Sequence, residues 1–261
     1  MIHKFARRAA PLAALALGVA LSGCALAVAD WEEVEGVPLA ELDMSGDPPT
    51  SVTLAGPDKV VITNGETLEI TLEGNAEAGE ALRFNRDGDE LTIARDSKVY
   101  DGSGTAIVRL TMPAASHLAI AGSGSIEADT MASKASAEIA GSGGIKVAQL
   151  EAEQLDVDIA GSGSVTAAGT TERLTVDIAG SGNVRLGELS AGEVEVGIAG
   201  SGNVDLASNG TVDAEIAGSG NIVVTGSAVC KVESAGSGSL TCRPSASSAE
   251  ATKEDEEAAA E

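Results

Sequence analysis

The sequence predicts an all-β protein whose body is a single-stranded β-helix, or β-solenoid, and three observations predict it. The segment Ile-Ala-Gly-Ser-Gly recurs at 120–124, 139–143, 159–163, 178–182, 198–202 and 216–220, and Ser234-Ala235-Gly236-Ser237-Gly238 closes the series. The first glycines (Gly122, Gly141, Gly161, Gly180, Gly200, Gly218 and Gly236) are spaced 19, 20, 19, 20, 18 and 18 residues apart. Between turns, apolar and polar residues alternate with period two, the strand signature: Leu155, Val157 and Ile159 lead into a turn, and Val165 and Ala167 leave it. That alternation also excludes a flexible Gly-Ser linker.

The chain opens on an export signal. Lys4, Arg7 and Arg8 form a positive n-region, and Leu12 to Leu21 form an apolar run too short to span a bilayer as a helix. Leu21-Ser22-Gly23-Cys24 resembles a bacterial lipobox, which implies a signal peptide over 1–23 and lipidation of Cys24. The rival is ordinary secretory cleavage after Ala27 or Ala29. Ala25 follows Cys24 where an Asp commonly signals inner-membrane retention, so the lipoprotein reading points to the outer membrane, on its periplasmic or its surface face. A tether over 24–32 follows.

Residues 33–118 form a β-rich N-terminal part without the motif. Val52–Leu54, Lys59–Thr63, Thr67–Leu72, Ala81–Phe84, Glu90–Ala94 and Ala106–Thr111 read as strands, with a hairpin turn at Asp87-Gly88. This part caps the solenoid, either as early coils or as a separate small sheet. Residues 119–243 are the repeat solenoid: strand, Gly-Ser-Gly turn, strand, and a looser return such as Glu188–Gly192. The turn serines, from Ser123 to Ser237, would stack one above another in a hydroxyl ladder. Residues 244–261 are Ser, Ala, Glu and Lys without apolar periodicity and read as a disordered acidic tail.

Aligning the repeats predicts a disulfide. Cys230 lies six residues before Gly236, in the slot of Leu155, Leu174, Val194 and Val212. Cys242 lies six after it, in the slot of Ala167, Leu186, Leu206 and Val224. Both slots face inward across one turn, in an oxidising compartment, and the third cysteine, Cys24, is left for lipid.

Composition narrows the function. Sixteen Lys and Arg stand against 40 Asp and Glu, for a net charge of −24, so nucleic acid is excluded as a partner. With Trp31, Tyr100, Phe5 and Phe84 as the only aromatics, any reading that needs stacking platforms for bases or sugars is weakened. Three residues before each first glycine stand Ala119, Glu138, Asp158, Asp177, Gly197, Glu215 and Glu233. The five carboxylates, Glu138, Asp158, Asp177, Glu215 and Glu233, would form one outward column. Asp156, Glu195 and Asp213 thicken it from two residues earlier. Like charges stacked about 4.8 Å apart repel, and a weak, non-stoichiometric cation layer would relieve them. A specific metal site is not expected, because the calcium-binding nonapeptide is absent and strand carboxylates supply too few oxygens.

No catalytic constellation emerges. His117, the only histidine after the signal segment, has no evident Ser, Cys or acid partner. Lys146 and Arg185 share a repeat position with Thr166 between them, a weak signal. No cofactor motif is present.

The strand segments at 50–112, Pro113 near the transition and the Gly-Ser-Gly turns together resemble the head GIN domain family, described as autotransporter-adhesin-like, over about residues 33–243. The resemblance implies a β-helix distantly like pectin lyases without their catalytic residues, and an adhesion or cell-envelope role. The expected function is therefore a non-catalytic, exported envelope lipoprotein, membrane-tethered by its lipid and binding an envelope or surface partner. The alternatives are an envelope glycan- or lipid-binding protein and a polysaccharide-lyase-like enzyme. A pocket should break the repeat with a long insertion, and the regular steps favour the first reading.

Overall fold

A computed structural model of the protein describes residues 36–244. The signal segment, Cys24, the tether and the tail from 245 onward lie outside the described residues.

Each repeat closes into one coil of the stack. Strand β10 (Gly144–Gly161) traces a whole coil between two Gly-Ser-Gly turns. Ile145 and Val147 face inward on the lead-out side, Leu150 on the return side, and Leu155, Val157 and Ile159 on the lead-in side. Alternation breaks at the exposed pair Ala148-Gln149, where the ladder to the next coil also shifts register. The return is not the loose connection suggested by Glu188–Gly192. Strand β12 (Asn183–Gly200) runs through it, burying Leu189 and Ala191 and pairing Glu188 and Leu189 with Ala168 and Gly169 of β11 (Ser164–Gly180). A coil stacked between two others can pair its backbone all the way round, and an unpaired return would strand those amides.

Stacking is parallel and in register. Leu54, Ile120, Ile139, Ile159, Ile178, Ile198 and Ile216 form one inward column. All are at most 2% exposed, and burying each contributes about 2 kcal/mol of transfer free energy. Above Ile216 the column reaches Ser234, a polar residue with no further coil over it among the described residues.

The turn explains its own spelling. At Gly161, φ is +131°, and a Cβ there would strike the carbonyl oxygen of Gly141 in the coil below. A Cβ on Gly163 would lie 2.6 Å from Ile139 Cγ2, so the second glycine lets the turn close over the isoleucine column. The serine stacks through its backbone: Ser162 N–H donates to Gly141 C=O at 2.8 Å. The side-chain ladder belongs to the residue after the turn. Asn203 Nδ2 donates to Asn183 Oδ1 at 3.2 Å, Asn221 Nδ2 to Asn203 Oδ1 at 3.4 Å, and Ser239 Oγ to Asn221 Oδ1 at 2.9 Å.

The N-terminal part joins the same column out of chain order. Strands β1 (Ser51–Gly56) and β2 (Lys59–Asn64) form a coil beneath β7 (Ala115–Gly122) and β8 (Ser125–Ala128). Strands β5 (Glu90–Arg95) and β6 (Ala106–Met112) come later in the chain yet lie beneath β1 and β2. Two antiparallel strands finish this end: β3 (Glu69–Gly74) on β6, and β4 (Leu82–Asp87) on β5 through the Asp87-Gly88 turn. Between them a short helix, α1 (Ala76–Glu80), is N-capped by Asn75, whose Oδ1 accepts from Ala78 N–H at 2.8 Å. Phe84 and Met112, both 0% exposed, fill the core here.

A buried ion pair locks this arrangement. Asp58, in the β1–β2 corner, meets Arg95 at the end of β5; their side chains are 0% and 5% exposed. Asp58 Oδ1 also accepts from Ala106 N–H, and Arg95 Nη1 donates to Gly104 C=O, both at 2.8 Å.

At the opposite end, β15 (Val229–Gly236) lies on β13 (Asn203–Gly218), and β16 (Ser239–Arg243) lies on β14 (Asn221–Thr225). Cys230 pairs with Val212 and Cys242 with Val224, and a disulfide joins the two cysteines with Cα atoms 6.7 Å apart.

Candidate functional site

The lead-in side carries the candidate surface. Alternation along each strand sends every second residue outward, and the in-register stack turns equivalent slots into columns. Glu138, Asp158, Asp177, Gly197, Glu215 and Glu233 are consecutive register partners, with Ala119 below Glu138. Two residues earlier runs a second column: His117, Ser136, Asp156, Thr175, Glu195, Asp213 and Lys231.

The two columns form a ladder of carboxylates with a nitrogen-bearing side chain near each end, His117 at one and Lys231 at the other. His117 Nδ1 lies 3.9 Å from Glu138 Oε1, so this histidine does face an acid, contrary to the sequence reading. The partner sits in the next coil, 21 positions on, out of reach of any local motif. Lys231 Nζ lies 3.3 Å from Asp213 Oδ1 and 3.5 Å from Glu233 Oε1. In between, the acids face one another. Burial, and then the charges of Asp177, Glu138 and Asp156, push the Asp158 carboxyl above the ordinary aspartate range. Asp177 is pushed up by burial and then by Asp156.

Gly197 interrupts the first column. Without a side chain at that rung, a shallow groove of about 410 Å³ opens between Asp177 and Glu215, walled by Glu195 and Asp213 and reached by Lys231. The carboxylates of its walls suit an ammonium or guanidinium group, or a hydrated cation, at this one rung. No group of three or more ligand-type side chains converges as a metal site among the described residues. Lys146, Thr166 and Arg185 stack on the lead-out side and do not join the ladder. The end positions of His117 and Lys231 were legible by counting back five residues from Gly122 and Gly236, as for Asp156 and Asp213. Gly197 was visible only as a missing acid, and its groove depends on how neighbouring side chains lean.

The sequence matches a family described as "putative auto-transporter adhesin, head GIN domain" over residues 48–228. The chain belongs to this head GIN domain family. Solved structures resemble this head GIN domain in fold. A putative adhesin from Bacteroides fragilis matches with TM-score 0.69 and 18% identity, over 77% of this chain and 94% of its own. A putative lipid binding protein from Parabacteroides distasonis matches with TM-score 0.59 and 21% identity, over 76% and 93%. A putative adhesin from Parabacteroides merdae matches with TM-score 0.55 and 17% identity, over 77% and 94%. No curated protein matches the sequence. No helix among the described residues is long and apolar enough to cross a membrane.

Proposed function

We propose that this head GIN domain protein is an exported envelope module, tethered to the outer membrane through lipid on Cys24, that binds a cationic partner through its rigid acidic side and catalyses no reaction. One observation carries the reading: the outward carboxylates form an in-register ladder along coils that no insertion interrupts. A rigid, repeated array of one charge suits multivalent attachment to a surface better than the binding of one small molecule.

Two measurements test it. Mass spectrometry of the mature N-terminus should find diacylglyceryl on Cys24, with the protein in the membrane fraction; a product beginning at Val28 or Asp30 overturns the tether. Binding of the purified protein to isolated envelopes should fall when Asp158, Asp177 and Glu215 are changed together to Asn, Asn and Gln. Unchanged binding overturns the role of the ladder.

A second reading takes the Gly197 groove as a pocket for one envelope ligand, a glycan or a lipid. The groove supports it, as does the fold shared with a structure described as a lipid binding protein. Native mass spectrometry after extraction from envelopes separates the two: a stoichiometric small ligand, lost on Gly197→Glu, favours the pocket.

A further inference from the structure

The two ends of the column are finished differently. At the N-terminal end, β5 and β6 are each covered by an antiparallel neighbour, and β4 is further bridged by Val37 to Phe84. At the C-terminal end, β15 pairs with β13 alone and β16 with β14 alone. Their outer edges have no strand beside them among the described residues. Such an edge is a template for another strand.

The side chains on the β15 edge say which strand fits. Val229 and Val232 are 73% and 43% exposed, and Val232 occupies the inward slot above Ala214, with no coil covering it among the described residues. Outward on either side of Val232 stand Lys231 and Glu233, 68% and 69% exposed. This charge order is self-complementary. A second copy rotated about a two-fold axis through Val232, perpendicular to the lead-in side, lays its β15 antiparallel against this one. Val232 then faces Val232 of the second copy, Cys230 faces its Ser234, and Lys231 and Glu233 each face their opposite charge. Opposite charges placed directly across an antiparallel pair are favourable, and like charges are not. The place also suits two chains of net charge −24, because Lys231 and Arg243 outnumber Glu233 on these two strands.

The geometry points to an end-to-end, two-fold dimer of this chain through the free edge of β15. The interface is isologous and closed, so it stops at two copies. It would also place both acidic ladders on the same side, in line, doubling the array.

Sedimentation equilibrium of the full chain carrying Cys24→Ser, which removes any acyl contribution, tests the dimer. The unaltered edge should give a monomer–dimer equilibrium. Lys231→Glu and Glu233→Lys should each weaken it about tenfold or more, since each ion pair occurs twice and becomes a repulsion. The double exchange, Lys231→Glu with Glu233→Lys, should restore it to within about threefold, which a merely structural role for either residue would not do. A monomer up to about 1 mM, or a dimer insensitive to the single changes or not restored by the exchange, overturns the proposal. So does a dimer that appears only after residues 245–261 are removed, because the edge would then be occupied by the chain's own tail.

Discussion

Gly122 lies directly over Gly56: the two are register partners on β7 and β1, and a Cβ on Gly122 would sit 3.0 Å from the Gly56 carbonyl oxygen. The first repeat turn is therefore built on a corner spelled Gly56-Pro57-Asp58, and Gly124 N–H donates to Gly56 C=O at 2.8 Å. Everything from β2 to β6 intervenes in the chain without entering this contact. The repeat is stacked on a platform that lacks the repeat's sequence, and the stability of both depends on the close approach of backbone to backbone.

Gly180→Ala should be costly. Its φ is +133°, and the added Cβ would strike the carbonyl oxygen of Gly161. We expect a loss of about 3 kcal/mol or more in urea unfolding. Gly79→Ala, in α1, is the contrast: its Cβ would meet only Leu72 Cδ1, at 3.9 Å. That change should be neutral or stabilise by up to about 1 kcal/mol. Equal losses at both positions would contradict the stacking argument.

Asp58→Ala should destabilise the platform. It leaves the Arg95 guanidinium buried with Gly104 C=O as its remaining protein hydrogen-bond acceptor. Removing one partner of a buried pair costs about 3–5 kcal/mol. The double change Asp58→Ala with Arg95→Met should cost clearly less than the sum of the single changes, as a double-mutant cycle by denaturant titration would show.

The acidic ladder makes stability depend on pH. Folding raises the carboxyl pKa of Asp158 and Asp177, so the folded chain holds more protons than the unfolded one between the ordinary aspartate range and the raised values. The stability contributed by these two groups therefore falls as pH rises through that window and stays low at neutral pH. Both side chains reach solvent, which screens the effect. Asp158→Asn with Asp177→Asn should raise Tm at pH 7 by about 1–3 °C, with no gain at a pH below the ordinary aspartate range. Millimolar calcium at fixed ionic strength should narrow the difference at pH 7.

Opening the terminal clip should act locally. The disulfide closes a loop with a sequence separation of 12. In the chain-entropy model such a loop contributes about 3 kcal/mol. Cys230→Ser with Cys242→Ser should raise amide hydrogen exchange in 229–243 by up to about a hundredfold and leave the isoleucine column protected. Thiol titration of the denatured, unreduced chain should find neither Cys230 nor Cys242 free.

Much of the solenoid was legible because its information is local and repeated. Alternation over Leu155–Ile159 fixes which side chains turn inward, and aligning the Gly-Ser-Gly turns at Gly161 and Gly180 leaves one register in which neighbouring coils keep that alternation. The acidic slots followed from the same counting. The return at Glu188–Gly192 did not. Its glycine and polar residues are what a loop would carry, and it is a strand because the neighbouring coils offer it partners. The hydroxyl ladder was misplaced by two positions for a similar reason. The Ser162 amide is bound by Gly141, and the side chains that meet are those of Asn183, Asn203 and Asn221.

The sequence by itself determined the repeat, its inward and outward faces, the acidic column and the slots that bring Cys230 opposite Cys242. Each follows from periodicity, which carries register from one coil to the next. Only the tertiary structure decided that β5 and β6 lie beneath β1 and β2, that Asp58 meets Arg95, and that among the described residues one end is covered while the other is open. Those contacts join segments with no shared period, so nothing in the order of residues along the chain ranks one pairing above another. They are selected by what the folded column can bury and hydrogen-bond, and that is a property of the whole stack.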